Sequence, residues 1–255
     1  MKYRSIKICL VIVALFGGVA AASDLPDCPN DNNVYNWHNC FGTFTRASGY
    51  KDIGEYQNGK LNGQATVTYQ GGGRLVGQFK NNQANGQGTF TFADGSSYVG
   101  EFKDGRWNGN GAITNAADGS TTIGELTNGK LNGQGTKTYT NGNKYVGEFK
   151  NSLPDGQGIF TFANGDQYIG EWEYGMWNGQ GSLTLKDGSV QKGIWKNDKF
   201  LYVNKPTKPA PAVKIPTKPL PIVKTPAKPV PVVKTPTQDD QAIPASSGSG
   251  FAVSS

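Results

Sequence analysis

The sequence predicts an all-β protein made of short hairpins repeated in tandem, and three observations lead there. Tyr98 to Gly111 reads Y-V-G-E-F-K-D-G-R-W-N-G-N-G and returns as Y-V-G-E-F-K-N-S-L-P-D-G-Q-G from Tyr145 and as Y-I-G-E-W-E-Y-G-M-W-N-G-Q-G from Tyr168. The glycine heading each unit falls at Gly54, Gly77, Gly100, Gly124, Gly147, Gly170 and Gly193, a period of 23 residues lengthened once to 24. A fixed period in this range marks a repeat architecture, each unit being one supersecondary piece that buries itself against its neighbours. Asn-Gly and Asp-Gly turn pairs punctuate the units, and no segment carries a sustained helical apolar period.

Met1 to Ala22 has a basic start (Lys2, Arg4, Lys7), an apolar run from Ile8 to Phe16 and the small residues Ala20-Ala21-Ala22. That is the layout of a secretory signal peptide cleaved after Ala22. The chain is therefore expected to be exported, either periplasmic or secreted. The alternative is an uncleaved N-terminal membrane anchor, for which the run falls short of the roughly 20 residues a spanning helix needs. Residues 23–41 form a polar lead-in. Cys9 leaves with the signal, and the remaining Cys28 and Cys40 read as a disulfide, since an even pair close in sequence in an exported chain is a bridge. Aligning Gly42-Thr43-Phe44-Thr45 with Gly88-Thr89-Phe90-Thr91 puts Cys40 where Gly86 stands. The bridge then pins the lead-in over the first edge of the sheet, where an open edge invites aggregation. A metal site made of Cys28, Cys40 and His38, the single histidine, reaches three ligands at best. No metal and no cofactor are expected.

Residues 42–200 carry the repeats. Tyr98-Val99-Gly100-Glu101-Phe102-Lys103 is a short strand rich in β-formers, Asp104-Gly105 is a turn, and a second strand opens at Gly109-Asn110-Gly111. Alternation points Tyr98, Gly100 and Phe102 to one face, with Gly88, Phe90 and Phe92 of the partner strand alongside. Val99, Glu101 and Lys103 point to the other. One face is aromatic plus glycine and the other is largely polar. Glycine weakens a strand unless something packs closely over the bare backbone, and an aromatic ring is the expected occupant.

After Lys199 the composition changes. Lys205 to Thr237 repeats K-x-P-x-K-P-x-P-x-V about every ten residues, within a linker assigned to 201–237. Such proline density favours polyproline II at about 3.1 Å per residue, a stiff arm on the order of 100 Å long. Gln238 to Ser255 is Ser/Gly-rich and predicted to be disordered. The formal net charge of +6 divides unevenly: residues 1–22 carry +3, 23–204 carry −2, 205–237 carry +7 and 238–255 carry −2. The repeat body is near neutral, which argues against a nucleic-acid partner.

The pattern Y-x-G-E-F/W-x-x-G-x-x-x-G-x-G resembles the MORN (membrane occupation and recognition nexus) repeat, with six full units and partial units at both ends between about Gly42 and Phe200. The departures are Ala65 at the second Gly of G-x-G, Gln78 and Ile194 at the Glu, Leu126 at the aromatic, and Asn82, Ser152 and Asp198 at the mid-loop Gly; each is expected to weaken its own unit. The resemblance implies an elongated single-layer antiparallel sheet that serves as a binding or dimerising module, in some members linked to membranes.

Enzymatic chemistry finds little support. Any nucleophilic triad would have to use His38, which has no motif around it, and no phosphate-cradling loop opens a helix. Glu55, Glu101, Glu125, Glu148 and Glu171 recur once per unit, roughly 10 Å apart at about 4.8 Å per strand. That is wider than the 5–5.5 Å of a retaining glycosidase pair, and a ladder on the polar face accounts for them. The reading is therefore a non-enzymatic exported scaffold. An aromatic groove over Tyr56, Phe79, Phe102, Phe149, Trp172 and Trp195 is expected to bind a protein, a peptide or a second copy, with Trp172 and Trp195 contributing more than Tyr56. The alternative is a membrane-surface or envelope-polymer binder, its Lys-rich arm drawn to anionic lipid or cell wall. Less favoured is an enzyme of another type.

Overall fold

In a computed structural model, which describes residues 24–31 and 33–203, the repeats form one antiparallel sheet of fifteen strands laid side by side in chain order. The signal-like start, the proline-rich arm and the C-terminal tail lie outside those residues. After an edge strand β1 (Cys40–Thr45), strands of seven and nine residues alternate. The shorter are β2 (Lys51–Gln57), β4 (Arg74–Lys80), β6 (Ser97–Lys103), β8 (Thr121–Thr127), β10 (Lys144–Lys150), β12 (Gln167–Glu173) and β14 (Val190–Lys196). The longer are β3 (Lys60–Thr68), β5 (Gln83–Thr91), β7 (Arg106–Thr114), β9 (Lys130–Thr138), β11 (Leu153–Thr161) and β13 (Met176–Thr184), and β15 (Lys199–Tyr202) closes the sheet. A three-residue 3₁₀ turn at Val34–Asn36 is the one helical piece among the described residues.

Each short strand returns through a two-residue turn with both residues in the left-handed region, as at Asp104 (φ 51°) and Gly105 (φ 76°). Such a turn matches the twist of its flanking strands and reverses the chain at once. The second strand of that unit therefore begins at Arg106, three residues ahead of the Gly109 start that the glycine pattern suggests.

Register sorts the ring face into three rows running across the strands. In the first, Leu75, Phe90, Tyr98 and Ile113 face one another from β4 to β7, and Tyr145, Phe160, Tyr168 and Leu183 do so from β10 to β13. The second row is a continuous track of small residues from Gly42 to Gly193, glycine at every step except Ala65. The strands approach so closely there that a Cβ on Gly100 would lie 2.7 Å from the Asn110 carbonyl oxygen. Phe102, Phe149, Trp172 and Trp195 stand in the third row, each opposite a glycine of the preceding strand: Gly86, Gly133, Gly156 and Gly179.

Those last glycines have φ between 84° and 121° and sit in bulges where three residues of the long strand oppose one of the short strand. The repeated glutamates close over these bulges, the Glu101 carboxylate lying where a Cβ on Gly109 would point and Glu55, Glu125, Glu148 and Glu171 doing the same over Gly63, Gly133, Gly156 and Gly179. In the unit where Gln78 replaces Glu, its Oε1 accepts from the Gln87 N–H at 3.0 Å. The glutamates are thus part of the hairpin's own geometry.

Cys28 and Cys40 are joined by a disulfide, and Cys40 faces Tyr56 as Gly86 faces Phe102. The lead-in pairs with the sheet edge: the Cys28 N–H donates to the Phe41 carbonyl and the Phe41 N–H to the Pro26 carbonyl, at 2.9 and 2.8 Å. It also folds over the ring face, where buried Trp37 packs edge-on against Tyr56 at 4.7 Å and Phe44 at 6.0 Å. Trp37 supplies the ring that a preceding unit would supply elsewhere in the array.

Candidate functional site

The candidate site is the ring face, and its lower layer is built around three tyrosines. Tyr98, Tyr145 and Tyr168 lie flat over the glycine track, and their hydroxyls donate to the Glu101, Glu148 and Glu171 carbonyls at 2.8, 2.8 and 3.1 Å. A Cβ on Gly111, Gly158 or Gly181 would enter the corresponding ring. Burial, reinforced by the neighbouring glutamate carboxylates, pushes all three phenols well above the ordinary tyrosine range. They are structural groups, closed off from solvent.

The six rings expected to line a groove belong to this lower layer too. Tyr56, Phe79, Phe102, Phe149, Trp172 and Trp195 are all buried, with 2 to 7% of their surface exposed. The two tryptophan indoles also reach the track, Trp195 Nε1 donating to the Gly181 carbonyl at 3.2 Å and Trp172 Nε1 to that of Gly158 at 3.4 Å. The sheet lets each ring lean back over the glycine of the unit before it, so rings that would be open in an isolated hairpin cover one another in the stack.

What the face presents to solvent is an upper layer of rings, of which strand alternation places Phe90 and Phe92 on this face but does not single out Trp107, Phe160, Phe162 and Trp177. Phe90 packs on Phe92 at 4.6 Å and Phe92 on Trp107 at 5.9 Å; seventy residues on, Phe160 packs on Phe162 at 4.7 Å and Phe162 on Trp177 at 6.0 Å. In each set the tryptophan stacks on a lower tyrosine, Trp107 on Tyr98 at 4.4 Å and Trp177 on Tyr168 at 4.1 Å. These outer rings are half-buried, except Phe92 at 38% exposure. The signal was the T-F-x-F of Thr89 to Phe92, repeated as Ile159 to Phe162 with Ile-Phe-Thr-Phe, together with R/M-W-N-G after the turn. Between the two clusters the outer positions hold Asn115, Thr122 and Lys137, and Tyr139 extends the second cluster, tilted against Phe160 at 6.0 Å.

Asp94 and Asp118 lie in the loops beside the first cluster, Asp166 and Asp187 in those beside the second. Asp94, Asp118 and Asp187 each accept a hydrogen bond from the backbone of their own turn, from Ser96, Ser120 and Ser189, and Asp166 accepts one from the Lys186 N–H of the neighbouring loop. Side-chain bonding to Ser120 and Ser189 holds the carboxyls of Asp118 and Asp187 below the usual range.

At the first hairpin, Asp52 replaces the lower-layer tyrosine. Its Oδ2 accepts from Arg46 Nε and Nη2 at 3.1 and 2.7 Å, while Oδ1 and the Tyr56 hydroxyl are buried without a partner among the described residues. They line a recess of about 430 Å³ with Val34, Tyr35 and Phe44. His38, at the far side of the lead-in, bonds to Asn58 at 3.1 Å through Nδ1.

No curated protein matches the chain in sequence. Among solved structures it is similar to the TCP domain of Drosophila melanogaster SAS-4 (dCPAP), solved in complex with a proline-rich motif of Ana2 (dSTIL), at 15% identity over 61% of this chain and 90% of that one with a TM-score of 0.35. It is similar also to the G-box domain of the microcephaly protein CPAP, at 13% identity over 61% and 99% with a TM-score of 0.34, and to the wild-type TCP10 domain of Danio rerio CPAP, at 13% over 60% and 82% with a TM-score of 0.23. The MORN repeat profile matches residues 53–74, 76–97, 98–114, 123–144, 145–167 and 168–190, six units in the register of the hairpins. With its period, its glycine track and its ring rows accounted for by that match, the chain belongs to the MORN repeat family.

Proposed function

We propose that this protein is a non-enzymatic scaffold that binds an extended protein or peptide segment through the outer aromatic layer. The observation that carries the reading is the pair of half-buried ring clusters, most open at Phe92, on a sheet face that, apart from the lead-in over the first hairpin, has no second layer of structure over it among the described residues. Layered domains bury such faces, and rings left open mark interaction sites. Lower rings fix the shape; upper rings meet the partner. The disulfide, together with the signal-like Met1 to Ala22, supports action in an oxidising compartment outside the cytoplasm.

A second reading has one specific support, the seven lysines and no acid of residues 205–237, which suit an anionic lipid or envelope polymer. Capture experiments on the full chain separate the two. The Phe92→Ser, Phe162→Ser double variant should lose partners that the wild type takes from its own envelope extract, whereas Ile123→Ser on the opposite face should keep them. Binding that survives the ring changes and vanishes on raising the salt would favour the lysine arm instead.

A further inference from the structure

We propose that in the free protein, until a partner displaces it, the segment occupying the outer rings is the chain's own proline-rich arm, residues 205–237, folded back along the sheet. The proposal rests on the reading of that face as a binding surface and names its ligand. Proline-rich segments in the polyproline II form dock on aromatic surfaces because they are already ordered and present flat apolar rings.

The two molecular rulers agree. The clusters centred on Phe92 and Phe162 are six strands apart, from β5 to β11, or about 29 Å at about 4.8 Å per strand. The arm repeats every ten residues, bringing Pro209-x-Pro211 back as Pro219-x-Pro221 and Pro229-x-Pro231. Ten residues of polyproline II span about 31 Å. One period of the arm therefore steps from one cluster to the next, so that equivalent P-x-P pairs meet equivalent rings.

Reach and charge point the same way. The described chain ends at Val203 beside β15, whose Phe200 packs on Trp195 at 5.2 Å, so the arm starts at the end of the aromatic face. From β15 back to β5 is ten strands, about 48 Å, and the 33 residues of the arm reach about 100 Å. Within each period a lysine precedes the P-x-P pair, at Lys208, Lys218 and Lys228. The rings it would accompany are flanked by Asp94 and Asp118 at one cluster and by Asp166 and Asp187 at the other. The arm carries +7 against −2 for residues 23–204.

The test places a photo-reactive p-benzoylphenylalanine at Phe92, at Phe162, or at Ile123 on the opposite face of the full chain. Irradiation of the purified protein is followed by peptide mass spectrometry. Residues 92 and 162 should cross-link to the arm, at positions that coincide within its ten-residue period, and residue 123 should not. Replacing the six prolines from Pro209 to Pro231 that form the P-x-P pairs by serine keeps length and charge and should abolish those cross-links. A mixture of isotopically light and heavy chains should give no hybrid pairs; hybrid pairs would make a second copy's arm the occupant and overturn the folded-back form. Arm cross-links of equal yield from residue 123 would overturn the proposal, and so would their absence from residues 92 and 162. If those two residues give no arm cross-links in the purified protein and cross-link to another protein when extract is added, the arm is excluded while the binding face stands. If they cross-link to nothing in either case, the reading of the face fails as well.

Discussion

At the residue scale the array turns on what a single methyl would do. Tyr98 leaves no room for a Cβ at Gly111, whereas Ala65 occupies the equivalent place in the first hairpin because Asp52 has replaced the tyrosine there. Gly111→Ala should destabilise the protein by about 1–3 kcal/mol, the range for overpacking a closed site, as read from its denaturation midpoint. The turn substitutions show a similar exchange. Asn82, Ser152 and Asp198 hold positive φ where glycine would be easier, and the side chain of each accepts from a backbone N–H of the preceding hairpin: Leu61 at 2.7 Å, Leu131 at 3.1 Å and Trp177 at 2.7 Å. These replacements, expected from the repeat pattern to weaken their units, lace neighbouring units together. The lower tyrosines also set an alkaline limit. Their folded-state values lie above the unfolded value near 10, so their contribution is intact below that pH and is lost as pH rises through the folded-state values. The share of the tyrosinate absorbance that comes from these three should therefore appear above pH 10 together with loss of the sheet signal; ionisation of all the tyrosines near pH 10 with the sheet intact would contradict the assignment.

At the element scale each hairpin depends on its neighbours. The N–H of the second turn residue donates to the preceding hairpin, from Gly105 to the Ala84 carbonyl and from Gly129 to that of Trp107, both at 2.9 Å. The first hairpin has no such predecessor, and Trp37 takes the part: its carbonyl accepts from Gly59 at 2.8 Å. Reducing Cys28–Cys40 frees this cap at a chain-entropy cost of roughly 2–3 kcal/mol. Amide hydrogen exchange should then quicken in β1 to β3 and stay unchanged in β10 to β13, since a repeat stack responds to its nearest neighbours. Period, strands, turns, glycine-under-ring packing and the cysteine pairing were legible in the sequence because they depend on spacing within one unit. The bulge was not, because Glu101 and Gly109 meet only once the register has slipped. Nor was the burial of Trp172, which is covered by Tyr145 and Phe160 from the unit before it, at 4.9 and 6.0 Å.

At the scale of the whole molecule, the stack converts a weak single repeat into a long surface with two layers of rings and separate duties. Removing a lower ring should damage the fold, and removing an upper ring should damage association. On the proposed reading, the near neutrality of the sheet leaves its aromatic face, rather than a strong field, as the feature that would select a partner. This division is tested most directly by measuring unfolding midpoint and partner capture together for two single variants of the full chain. Trp172→Ala should cost about 3–5 kcal/mol of stability, the range for deleting a buried tryptophan, with capture per folded molecule preserved. Phe162→Ser should cost about 1 kcal/mol or less and lose most of the capture. Full capture by Phe162→Ser, with its midpoint unchanged, would contradict the account.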